Sequence, residues 1–124
     1  MRLLLDTHVI LWMAAAPHRI RPSTRAVLYE PNSELFVSAS SVMEIASKVA
    51  RGSVVLTDET LEGLGRQVRW LNVTPAHAWR ITKLPLIHLD PFDRILVAQA
   101  LQEGLTLVTG DRKLLQYAVP ILQA

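Results

Sequence analysis

Four acidic residues are the first candidates for chemistry: Asp6 in L-L-L-D-T-H, Glu44 in S-V-M-E-I-A, Asp93 in H-L-D-P-F-D-R and Asp111 in L-V-T-G-D-R. Asp6 is the most telling. It follows three leucines and is succeeded, after Thr7 and His8, by V-I-L-W, so its carboxylate is partly withdrawn from water. Such a charge is normally paired, hydrogen-bonded, neutralised or bound to a metal, because burying it alone is costly. Carboxylates crowded together raise one another's pKa. A hard divalent cation with oxygen ligands, Mg²⁺ or Mn²⁺, removes that repulsion. The histidines at 8, 18, 77 and 88 show no H-x-x-x-H spacing, so no zinc site is expected and each reads as structural or surface.

Each acid also has a purely structural reading. Asp6 can cap a helix, and Ser41 with Glu44 spells the capping box S-x-x-E. Glu44 also precedes Lys48 by four residues, the spacing of a helical ion pair. Asp90 can cap a helix whose first position is Pro91 and whose first turn holds Asp93. Asp111 can cap a short last helix.

The elements that must carry these residues follow from periodicity. Short apolar runs alternate with helical patterns, the mark of βαβ units around a parallel sheet. Strands are expected at Arg2–Leu5, Leu35–Ser38, Leu71–Val73, Thr106–Thr109 and Val119–Leu122. Helices are expected at Thr7–Ala14, Pro22–Tyr29, Ser41–Arg51, Asp58–Arg69, Ala76–Lys83 and Phe92–Glu103. Gly63 and Gly65 weaken the fourth of these, each costing about 1 kcal/mol against alanine inside a helix. Ligands of open parallel sheets bind at the carboxyl ends of the strands. Asp6 and Asp111 follow strands, and Glu44 and Asp93 are expected in the first turns of helices, so all four should face that edge. Helix starts lie there in any βα fold, so convergence favours a site without proving one.

Composition bounds the rest. The chain has 124 residues, half of them hydrophobic, which is enough for one core, and it reads as a single domain over residues 1–124. With no cysteine there is neither a disulfide framework nor a thiolate metal site, which fits a cytoplasmic setting. Its longest apolar run, Val9–Ala16, is far short of a membrane span, and Asp6 and His8 interrupt any secretion signal. The net charge is +2, but ten arginines against three lysines favour a polyanionic partner.

Taken together, L-L-L-D-T-H, S-x-x-E-I-A, H-x-D-P-F-D-R-x-L-V-A-Q-A and L-V-T-G-D with A-V-P-I-L resemble a PIN-domain protein, in particular the VapC-type toxins of toxin–antitoxin pairs. The motifs run from Leu3 to Leu122. The resemblance implies a three-layer α/β/α sandwich around a mostly parallel sheet and an endoribonuclease dependent on one or two Mg²⁺ or Mn²⁺ ions. It places the family's acidic set on Asp6, Glu44, Asp93 and Asp111, with Asp90, Thr7 and Thr109 in support. It also implies a homodimer held by a cognate antitoxin.

For RNA contact, Lys48 and Arg51 share a helical face with Glu44, and Arg94 and Arg112 each follow an acid of the set. Each has a competing reading as a solvated charge or a neutraliser of carboxylates. Arg19, Arg21 and Arg25 read as an exposed helix start. Trp12, Trp70 and Trp79 are potential base-stacking rings, with core or interface packing favoured for Trp12 and Trp79. A receiver domain or a D-x-D phosphatase is disfavoured because Asp6 stands alone in D-T-H. The alternative function is a non-catalytic PIN-fold module that binds RNA or a partner.

Overall fold

The computed structural model describes residues 1–124. β1 (Arg2–Leu5) leads into α1 (Thr7–Ala15) and α2 (Pro22–Leu28); β2 (Glu34–Ser38) leads into α3 (Ala39–Ala50) and α4 (Asp58–Gly65). β3 (Arg69–Leu71) is followed by α5 (Pro75–Arg80) and α6 (Pro91–Glu103), then by β4 (Thr106–Thr109) and β5 (Ile121–Gln123). The strands form one sheet in the order β3-β2-β1-β4-β5, and every pairing is parallel.

Alternation along the strands builds two cores. Leu3 and Leu5 of β1 face one side with Val9, Ile10, Leu28 and Ile45, so α1 to α3 cover that face and α4 adds Leu64. Leu4 faces the other side with Leu96, Val97 and Ala100 of α6. A central strand apolar on both faces is what a covered parallel sheet requires. This is the expected three-layer α/β/α sandwich, with a sheet that is wholly parallel.

Several boundaries differ from expectation. α3 begins at Ala39, because Ser38 supplies the cap through a 3.0 Å bond from the Ser40 N–H. Ser41 is therefore not a cap: it is buried and bonds Thr7, and Glu44 falls in the second turn. Nor do Glu44 and Lys48 form an ion pair; the Arg69–Glu34 contact is the one lysine- or arginine-to-carboxylate pair in the molecule. α4 stops at Gly65, where a Cβ would stand 3.0 Å from the Trp70 ring, so β3 starts two residues early. The helix expected at Ala76–Lys83 becomes α5 plus a 3₁₀ turn over Ile81–Lys83. Leu84 precedes Pro85, which pushes it to an extended conformation.

α5 and α6 are tied by a buried histidine. His77 closes a capping box with Thr74 and reaches Glu103 at 2.7 Å. It is structural, as expected.

Candidate active site

β1 is the point where the strand order reverses, with β2 on one side and β4 on the other. A crevice opens at the carboxyl ends of such neighbours. Asp6 sits there, directly after β1, and is only 2% exposed. Its burial is compensated locally. Oδ1 accepts the Thr7 N–H at 2.7 Å, and Oδ2 accepts the Thr109 hydroxyl, from the end of β4, at 2.7 Å. His8 Nδ1 lies 3.4 Å from the same Oδ2. Asp6 is thus both the α1 cap and an oriented carboxylate.

The other residues arrive from three further segments. Asp90 caps α6 through a 2.9 Å bond from the Phe92 N–H, with Pro91 at the first helical position. That start places Asp93 in the first turn, as expected. Asp111 accepts the Lys113 N–H at 2.9 Å and donates its own N–H to the Thr109 hydroxyl at 3.0 Å. Thr109 therefore joins Asp6 and Asp111 through one hydroxyl. Thr7 hydroxyl and Ser41 hydroxyl lie 3.1 Å apart, fastening α3 beside Asp6. Glu44 stands three residues on from Ser41, on the same helical face. It is half-buried and makes no side-chain hydrogen bond or ion pair within the chain.

His88 is the residue that sequence reasoning set aside. Its Nε2 lies 2.6 Å from Asp93 Oδ2 and 3.7 Å from Asp111 Oδ2. Ligand atoms of His88, Asp93 and Asp111 all fall within 4.8 Å of one another. The available signal was its place five residues before Asp93, across the Asp90–Pro91 cap, rather than any histidine pairing. Its backbone is clamped by Tyr117, whose hydroxyl accepts the His88 N–H and donates to the His88 carbonyl, both at 3.1 Å.

Arg94 completes that clamp and is a correction. Expected as an RNA contact, it is buried, and its guanidinium donates to the carbonyls of Ile81, Leu84, Pro85 and His88 and to the Tyr117 hydroxyl. It shapes the 81–88 loop from inside and has no path to a ligand. Lys48 is half-buried, and Arg51 and Arg112 are exposed. Trp12 is half-buried, with Arg19 over its ring at 4.7 Å and His8 at 4.8 Å, so its faces are already used.

Electrostatics set Asp93 apart. Burial, followed by the charges of Asp6 and Asp90, raises Asp93 to about 6, while His88 opposes the rise. Crowded, partly desolvated carboxylates without an ion pair to lysine or arginine are the donor set a hard divalent ion fits. Asp6 with Asp93 and Asp111 supplies oxygen donors from three segments, and His88 supplies a nitrogen at the rim.

A parallel sandwich with acids gathered at its switch point defines a class, and comparison agrees with it. The chain belongs to the PIN-domain family, whose model matches residues 3–120. It is 34% identical over 121 residues to Ribonuclease VapC22 of Mycobacterium tuberculosis, covering 94% of this chain and 92% of that one. Among solved structures it is similar to VapBC2 from Rickettsia felis bound to a promoter DNA fragment, with a TM-score of 0.75 at 14% identity over 99% of this chain and 98% of the other. VapBC-1 from nontypeable Haemophilus influenzae gives a TM-score of 0.68 at 20% identity, over 99% and 98% of the two chains. These two likenesses show the shared fold.

Proposed function

We propose that this protein is a divalent-metal-dependent endoribonuclease and the toxin of a toxin–antitoxin pair, working as a single PIN-like domain over residues 1–124. The observation that carries the reading is the meeting of Asp6, Asp93, Asp111 and His88 at the carboxyl ends of β1 and β4. The name of the 34%-identical ribonuclease supports the activity, and the VapBC complexes among its structural relatives support an antitoxin partner.

Asp6, Asp93, Asp111 and Glu44 are the residues that would hold one or two Mg²⁺ or Mn²⁺ ions. Bound there, a divalent ion polarises a phosphoryl oxygen and makes water more acidic. Thr7 and Thr109 fix the Asp6 carboxylate, so its oxygens need no reorganisation on binding. Glu44, without a partner of its own, would either complete that oxygen set through a water or accept the proton of the attacking water. Attack on phosphorus would break the P–O3′ bond, with O3′ taking a proton from solvent, to leave a 5′-phosphate and a 3′-hydroxyl. Asp90 acts at one remove, by starting α6 where Asp93 must stand.

Two apolar clefts support protein partners. One, about 320 Å³, runs between α1 and α4 and includes Ile10, Met13, Leu61 and Leu64. Another, about 410 Å³, includes Met43, Val73, Phe92 and Ile95 between α3 and α6. Apolar surface of this kind suits the protein partners the reading calls for, an antitoxin and a second copy of the chain. No helix is long and apolar enough to cross a membrane; a cytoplasmic setting is what the family resemblance implies.

Incubation of labelled single-stranded and structured RNA with antitoxin-free protein tests the activity. Cleavage in Mn²⁺ or Mg²⁺ that disappears in EDTA is expected. Cleavage undiminished by the chelator contradicts the metal-dependent reading.

A further inference from the structure

The arginines that sequence analysis grouped together have different fates. Arg94 is spent inside the 81–88 loop, Arg19 lies on Trp12, Arg69 pairs with Glu34, and Arg80 bonds Gln102. Arg21 and Arg112 are exposed and have neither an ion pair nor a side-chain hydrogen bond. Yet they come together. Arg21, at the cap of α2, and Arg112, directly after Asp111, line one polar cleft with Thr109, Gly110, Asp111 and Gln123.

Two contacts hold that cleft in shape. The Thr24 hydroxyl of α2 donates to the Gln123 carbonyl of β5, and the Ala124 N–H donates to the Thr109 carbonyl at 2.9 Å. The start of α2 is thereby fixed against the carboxyl ends of β4 and β5, with Thr109 and Asp111 common to the cleft and the acidic site. Arg112 makes no salt bridge to Asp111, so its guanidinium N–H groups are not taken up by that carboxylate.

We propose that Arg21 and Arg112 form a subsite for a backbone phosphate of the RNA, adjoining the phosphate that is cut; this rests on the nuclease reading above. The acids at the switch point repel a polyanion along the whole approach, and an ion held by them offsets only the phosphate it touches. Neighbouring phosphates need cations of their own, and guanidinium groups without internal partners are suited to phosphate oxygens. The cleft is about 30 Å³, room for roughly one or two water-sized groups. It admits a phosphoryl oxygen and excludes a base, so the subsite grips the strand without reading its sequence.

The test is binding of a labelled, mixed-sequence single-stranded RNA across a salt series, with Arg21→Gln, Arg112→Gln and the double variant each on a cleavage-silenced Asp93→Asn background. Each phosphate contact on a single strand contributes about 0.7 to the slope of log affinity against log salt. The double variant should bind about tenfold more weakly at low salt and lose roughly 0.7 from that slope, the share of one phosphate. Arg66→Gln, at the opposite edge of the sheet, should change neither, and Mn²⁺ binding should be untouched in otherwise wild-type Arg21→Gln/Arg112→Gln protein. An unchanged slope in the double variant, with wild-type protein still cutting RNA, overturns the subsite and leaves the nuclease reading standing. Wild-type protein that neither binds nor cuts RNA overturns both.

Discussion

Burial and two neighbouring carboxylates hold Asp93 at about 6 rather than the ordinary 3.8. Between those values the folded chain binds more protons than the unfolded one, so stability of the metal-free protein falls as pH rises through that window. The loss is at most ~3 kcal/mol, at about 1.4 kcal/mol per unit. Urea titrations in EDTA from pH 4 to 7.5 should show it, Asp93→Asn should flatten it, and Mn²⁺ should restore wild-type stability at the upper end. A wild-type profile matching that of Asp93→Asn contradicts the crowding. Thr109 tests orientation: Thr109→Val removes the hydroxyl shared by Asp6 and Asp111, and metal affinity measured by titration calorimetry should drop about 10–100-fold with the fold intact. At this scale the acids were legible because D-T-H, D-P-F-D and T-G-D each break an apolar pattern. His88 was not, because its partnership with Asp93 and Asp111 depends on a loop clamped by Arg94 and Tyr117, which no local spacing records.

Among the elements, the turn after β4 is the least tolerant. Gly110 donates its N–H to His8 Nε2 at 2.8 Å, and a Cβ there would stand 3.0 Å from the Trp12 ring and 3.2 Å from that nitrogen. The turn carrying Asp111 is thus laid directly on α1. Gly110→Ala should cost about 1–3 kcal/mol through overpacking, read as a lower urea midpoint, and should weaken metal binding as Asp111 shifts. An unchanged midpoint would show that the turn yields freely. The helix starts were legible where a cap is followed by proline, as at Asp90–Pro91, and α6 begins there. They were less so at α3, where S-x-x-E offered a cap that Ser38 had already supplied. Ser41 was then free to bond Thr7, an arrangement that depends on two elements meeting.

Across the whole molecule, the order β3-β2-β1-β4-β5 does what no single residue can. It sets the most apolar strand in the middle and brings residue 6 beside residue 109, over a hundred positions apart. The βαβ alternation and both-face apolar character of Leu3–Leu5 made the layered parallel fold legible. The early start of β3 and the late start of β5, two residues each, were not, since Trp70 packing on Gly65 and Ile121 pairing with Leu107 are tertiary choices. Asp6, Thr109, Asp93 and Asp111 thus come together from three parts of the chain, and the function proposed for them is to hold a divalent ion against an RNA strand. Cleavage of labelled RNA by Asp6→Asn beside wild type, in Mn²⁺ and with thermal melts of both, tests that claim most directly. Asparagine keeps the size of Asp6; its Oδ1 can still accept the Thr7 N–H, and its amide N–H can donate to the Thr109 hydroxyl oxygen, so the melt should remain cooperative. The cleavage rate should fall by more than ~100-fold, beyond the range for residues that only support a ligand; a folded Asp6→Asn protein cutting RNA at the wild-type rate would contradict the account.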